Sequence, residues 1–200
     1  MRLSRTAPVL ALLLAALPLA ASAHPGIDGG LHHGFLAGFT HPLTGADHLA
    51  AMLAVGLWSA LAARRGGTEL LWAPLGFASM LLVGALAGLA GFSLPAVEPM
   101  IAASVLVLGL LVLTRSQLPP LAAAALVGAF AVFHGIAHGH ELAGEADAAL
   151  TLGGMLAATA LLHGIGIGAG WSLRQGHRWL PRVAGAAVAL FGVALLGGVA

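Results

Sequence analysis

Apolar residues run along this chain in long blocks, broken by short stretches where arginines, acids and prolines collect. Six blocks approach the roughly 20 residues that a helix needs to cross a bilayer. They cover about Thr44 to Ala63, Leu70 to Gly91, Pro99 to Leu113, Leu121 to Gly139, Ala148 to Trp171 and Pro181 to Val199. A shorter apolar piece, Leu31 to Thr40, cannot span; it fits a re-entrant segment or a half-helix packed inside protein. No internal repeat stands out, and no polar stretch is long enough to fold as a soluble domain. The pattern predicts an all-α fold, a polytopic transmembrane helix bundle.

Composition supports the membrane as solvent. The 200 residues are 60% hydrophobic and 8% charged, where a soluble domain carries roughly 25% charged residues. Cysteine is absent, which removes disulfides and thiolate metal sites. Lysine is absent too, so a phosphate-binding loop ending in Gly-Lys-Ser/Thr cannot exist here. A net charge of +1 argues against nucleic acid as a partner.

The first residues carry the marks of a secretory signal. Arg2 and Arg5 precede the apolar stretch Val9 to Ala20, and Ala21-Ser22-Ala23 is an Ala-x-Ala cleavage site. Residues 1–23 therefore read as a signal peptide, and 24–200 as one transmembrane domain starting at His24. Arg64, Arg65, Arg115, Arg174, Arg178 and Arg182 all fall in alternate connections. The positive-inside rule makes those connections cytoplasmic. Six spans then leave both mature termini outside, which in a bacterium is the periplasmic side of the inner membrane. Trp58, Trp72, Trp171 and Trp179 lie near the expected inner ends, as interfacial anchors do. Gly84-x-x-x-Gly88 and the run Gly164, Gly166, Gly168, Gly170 offer flat faces for close helix packing. A homo-oligomer is compatible with this pattern, which does not specify one.

Two stretches break the apolar background with ionisable groups, which are costly at bilayer depth and rare without a purpose. The first is His41-Pro42-Leu43-Thr44-Gly45-Ala46-Asp47-His48. Pro42 suits an entry turn that ends a preceding helix, and Thr44 is placed to cap the next one. Asp47 and His48 diverge by about 100° on a helix, so one faces the pore while the other orients a neighbour, or Asp47 compensates the helix dipole. Met52, four beyond His48, is a soft donor or a core residue. The second stretch is Phe133-His134-Gly135-Ile136-Ala137-His138-Gly139-His140-Glu141. His134, His138 and Glu141 share one helix face. Gly135 and Gly139 leave room beside them for an ion or another helix. Imidazole plus carboxylate is a ligand set that suits divalent nickel, cobalt or zinc.

Other histidines are less committed. His163 lies alone within the fifth span, a pathway residue or a structural one. His24, His32 and His33 precede the first motif on the outer side, where they fit capture of an ion or a plain solvated segment. His140 is equally open, and His177 sits among arginines with no evident role.

These motifs resemble those of the HupE/UreJ family of nickel and cobalt permeases. One hallmark is His-x5-Asp-His, here His41, Asp47 and His48. The other is Phe-His-Gly-x-Ala-His-Gly-x-Glu, here Phe133, His134, Gly135, Ala137, His138, Gly139 and Glu141. The start His24-Pro25-Gly26 and the stretch Thr159 to His163 are also similar to members, and the likeness spans the mature chain. One departure is visible: where members often carry Tyr-x-x-Gly-Phe, this chain has Thr151, Gly154 and Met155.

The resemblance implies secondary uptake of a divalent metal that supplies enzymes such as hydrogenase or urease, with the ion as cargo and no resident cofactor. It implies no catalysis. The residues alone leave an alternative, an intramembrane zinc-dependent hydrolase using the same cluster with Asp47 or Glu141 as base. For a transporter, Asp47, His48, His134 and His138 are the expected ligands of one shared site. Glu141 is a further ligand or an orienting group, and His41 guards the entry.

Overall fold

A computed structural model describes residues 34–64, 66–176 and 179–198 of the chain. The signal peptide, His24, His32, His33, His177, Arg65 and Arg178 lie outside the described residues. Within them the chain is all helix. The order is α1 (Phe35–Thr44), α2 (Ala46–Ala62), a short 3-10 turn (Gly67–Leu70), α3 (Trp72–Leu89), α4 (Val97–Thr114), α5 (Pro120–Glu141), α6 (Ala148–Arg174) and α7 (Leu180–Leu196).

Each of the six apolar blocks coincides broadly with one of the helices α2 to α7, but the helices differ in reach. Four helices, α3 to α6, are long and apolar enough to cross a membrane. The bent pair α1 and α2 makes a fifth if counted as one span. The apolar helix α7 has 17 residues and is shorter than these.

Glycine sets the helix pairing. A Cβ on Gly84 would strike the Val132 carbonyl, and one on Gly88 the Ile136 carbonyl; across the seam, Gly135 meets the Leu81 carbonyl and Gly139 the Ala85 carbonyl. Helices α3 and α5 therefore run parallel with their backbones in contact. The room beside His134 and His138 is taken by a helix. Gly56 of α2 abuts His163 of α6, and Gly166 abuts Leu53, another parallel pair. Helices α4 and α7 pair antiparallel, Gly109 against Ala189 and Gly192 against Leu106. The glycine run on α6 is split by this packing: Gly166 and Gly170 press on α2, while Gly164 and Gly168 face open space.

Three local expectations are corrected. Pro42 does not end the first helix; α1 carries it as an internal residue and runs on to Thr44. The break falls at Gly45, which is extended (φ −78°, ψ 115°). Thr44 does not cap α2 either: its hydroxyl turns back to the His41 carbonyl (2.9 Å), and the cap position is Gly45 with no side chain to offer. Trp58 is the third correction. It is buried in the core and donates from Nε1 to the Ser116 carbonyl (2.8 Å), tying α2 to the end of α4 rather than anchoring at an interface. Trp72, Trp171 and Trp179 are exposed.

Candidate metal site

The sharp bend between α1 and α2 builds the site. The two helices meet at 84°. Residues seven apart on a straight helix would stand about 10 Å apart along its axis. The bend instead brings the His41 and His48 rings to 5.9 Å, edge to face. The end of α5 packs against this elbow. The His138 ring lies 5.0 Å from His41 and 4.6 Å from His48. His134, one turn deeper on α5, lies 5.1 Å from His48. One ring nitrogen from each of His41, His48 and His138 falls within 4.8 Å of the other two.

Burial gives the cluster a direction. The side chains of Glu141 and His41 are 52% and 40% exposed, while His138 is 1% exposed. His134 is fully enclosed. The mouth is therefore at His41 and Glu141, and the floor is at His134.

Each inner imidazole has one nitrogen held and one left over. His48 donates from Nδ1 to Asp47 Oδ1 at 2.8 Å. The same carboxylate oxygen accepts the His48 backbone N–H (2.8 Å), so Asp47 also satisfies an amide in the first turn of α2. His138 donates from Nδ1 to Glu141 Oε2 at 3.2 Å. His134 approaches Ser104 Oγ of α4 through Nε2 at 2.9 Å. The single Ser104 proton goes to the Ile101 carbonyl (2.6 Å), so the hydroxyl must accept from His134 Nε2–H. These bonds assign the tautomers. The lone pairs left are on His48 Nε2, His138 Nε2 and His134 Nδ1, all buried and without a hydrogen-bond partner among the described residues.

An unsatisfied buried polar atom costs about 1–3 kcal/mol. Three of them on neighbouring rings are explained by a guest that accepts electron pairs, and a divalent cation does so. Neutral imidazoles oriented by carboxylates are the usual surroundings of such an ion. The donor set fits nickel, cobalt or zinc, with softer copper(I) disfavoured by the absence of sulfur among these three histidines.

Of the residues singled out from sequence, His41, His48, His134, His138, Asp47 and Glu141 stand together here. Asp47 is engaged with His48, on whose ring it acts. His163 lies deeper and apart, and Met52 is a buried core residue. His140 donates to the Phe92 carbonyl (2.9 Å), fastening the end of α5 to the α3–α4 connection. Sequence reasoning missed Ser104. Its only signal is a lone hydroxyl in the aliphatic run of α4, and its partner is 30 positions away. It also missed Phe77 of α3, whose ring lies 5.6 Å from His134.

Apolar helices of spanning length around a buried imidazole cluster define a polytopic membrane protein built to handle a metal ion. A family model described as HupE / UreJ protein matches residues 11–195. The chain belongs to the HupE/UreJ family, a family of membrane nickel and cobalt transporters and not of enzymes. It is 44% identical to Protein HupE of Rhizobium leguminosarum bv. viciae over 200 residues, covering 99% of this chain and 100% of that protein. No solved structure matches it.

Proposed function

We propose that this chain is a secondary permease that takes up divalent nickel, or cobalt, across the bacterial inner membrane. The observation that carries the reading is the set of three orphaned ring nitrogens on His48, His134 and His138 beneath a half-exposed His41 and Glu141. Ions enter from the periplasm at that mouth. Glu141 attracts the cation there, and His41 with His48 and His138 replaces part of its water shell. His134 takes it one turn deeper. Asp47, Glu141 and Ser104 hold the rings in the tautomers that present lone pairs. Neutral donors bind well enough to strip water and weakly enough to release the ion. A cation moving toward a negative interior gains about 2.3 kcal/mol per charge per 100 mV, which drives the step without nucleotide.

This reading goes with six crossings, in which α1–α2 and α7 serve as the first and last, and with periplasmic mature termini. The parallel pairs α2–α6 and α3–α5 and the antiparallel pair α4–α7 agree with such alternation. At equal concentration nickel should outcompete cobalt, following their affinity order with nitrogen donors.

The test is uptake of radiolabelled nickel by proteoliposomes containing the full chain. Wild type should accumulate nickel, and His138→Ala should not, although it inserts normally. Uptake unchanged in His138→Ala would remove the site. Loss of a lipid-hydrolysing activity in that variant, with nickel flux unchanged, would install the hydrolase reading instead.

A further inference from the structure

Below the floor of the cluster lies one more buried imidazole that the proposed site does not use. His163 of α6 is 3% exposed, and its Nε2 has no hydrogen-bond partner among the described residues. A structural core histidine would be expected to spend both ring nitrogens on hydrogen bonds. A leucine or phenylalanine would fill the same space without the cost of an orphaned nitrogen.

Its position is informative. The Phe77 ring touches both it and the cluster, 5.4 Å from His163 and 5.6 Å from His134. The α2–α6 seam marks the same direction. His48 is at the cluster; Met52, one turn on, meets Thr159; Gly56, a further turn on, abuts the His163 backbone. Beyond that, Trp58 and Ser59 line a cavity of about 340 Å³ at the opposite end of the bundle, with Arg64, Glu69 and Gln117 at its rim. His163 thus lies between the cluster and a cavity at the far end.

We propose that His163 is a second, inner station for the transported ion, flanked like the outer cluster by the Phe77 ring and completed by Met52 and Thr159. The proposal rests on the transport reading above and extends it inward. Thr159 donates its proton to the Met155 carbonyl (2.8 Å) and lies 3.4 Å from Met52 Sδ, so the hydroxyl keeps lone pairs to offer. One imidazole, one hydroxyl and one thioether form a weaker donor set than the three histidines outside. An ion there keeps part of its water. That gradation suits movement, because a path of multiple sites conducts only if each releases its ion. The Phe77 ring offers no lone pair, so the ion does not rest on it.

The experiment separates binding from passage. Full-length protein carrying His163→Phe, His163→Gln or His163→Cys is compared with wild type in two assays. Equilibrium dialysis with radiolabelled nickel reports the outer cluster, and initial uptake into proteoliposomes reports the whole path. His163→Phe should bind nickel at the outer cluster as wild type does, which also shows that it is folded. Its uptake should fall by about tenfold, the rate equivalent of one lost weak ligand. His163→Cys should restore part of the flux and shift preference toward thiophilic cadmium over nickel. Uptake by His163→Phe at the wild-type rate would overturn the proposal. So would equal defects and unchanged metal preference in the Phe, Gln and Cys variants, since a packing role predicts no change in selectivity. If wild type itself carries neither nickel nor cobalt, the transport reading falls instead, whatever His163 does.

Discussion

Single atoms decide whether a histidine here is a ligand or a filler. His48, His134 and His138 each spend one nitrogen on a fixed partner and keep the other free. Residues that share one ion act as a unit, so their substitutions should not add. His48→Ala and His134→Ala should each abolish most nickel uptake, and the double variant should be no worse than either; additive losses in the same uptake assay would mean separate sites. Ser104 acts only through His134. Ser104→Ala should leave insertion intact and weaken nickel binding by roughly tenfold, the lower end of what orienting partners contribute. Dialysis affinity equal to wild type would show that the His134 tautomer needs no help. Asp47 is more entangled, because its oxygen serves both the His48 ring and a helix-terminal amide. Asp47→Asn keeps an acceptor for both but removes the charge, and should lower nickel affinity without unfolding α2.

Helix packing decides where those atoms stand. Gly84, Gly88, Gly135 and Gly139 bring α3 and α5 into backbone contact, which fixes the height of His134 and His138 against Phe77 and α2. Gly135→Ala drives a methyl into the Leu81 carbonyl. Overpacking of this kind costs about 1–3 kcal/mol, so the variant should melt earlier in detergent and lose uptake. Gly164→Ala and Gly168→Ala are the control, since among the described residues no other helix comes within 4 Å of a Cβ at either position. Their melting should match wild type. Earlier melting at Gly164 would mean that a second copy of the chain covers that face. The elbow at Gly45 matters equally, because it folds His41 back over His48.

At the scale of the molecule, the arginines and the histidine cluster mark opposite ends of one bundle. Arg64 donates through Nε to Gln117 Oε1 (3.2 Å), and Arg174 donates to the Ala60 carbonyl (2.9 Å). Both bonds tie helices together at the end remote from His41. In the proposed orientation, which follows positive-inside placement, that end is cytoplasmic. Reporter fusions at Gly66 and Arg115 should read cytoplasmic, and one at Ala143 periplasmic. A cytoplasmic signal at Ala143 would invert the direction proposed for the ion.

Much of this was legible in the chain alone. Long apolar blocks with isolated polar clusters determine helices of membrane-spanning character, because only intrahelical hydrogen bonds satisfy a backbone in lipid. Helical periodicity puts His134, His138 and Glu141 on one face, since that needs only a local 3.6-residue turn. The elbow was not legible. Pro42 carries the local signal for a break, yet the bend falls three residues later at Gly45, and the start of α1 is held against α6, with Gly38 against Thr151 and Gly154 against Phe35. Nor was the division of labour between Asp47 and His48, or the pairing of Ser104 with His134 from another helix. Sequence spacing determines what lies within one helix, whereas tertiary packing alone decides which nitrogen of each ring meets a neighbour and which is left for an ion.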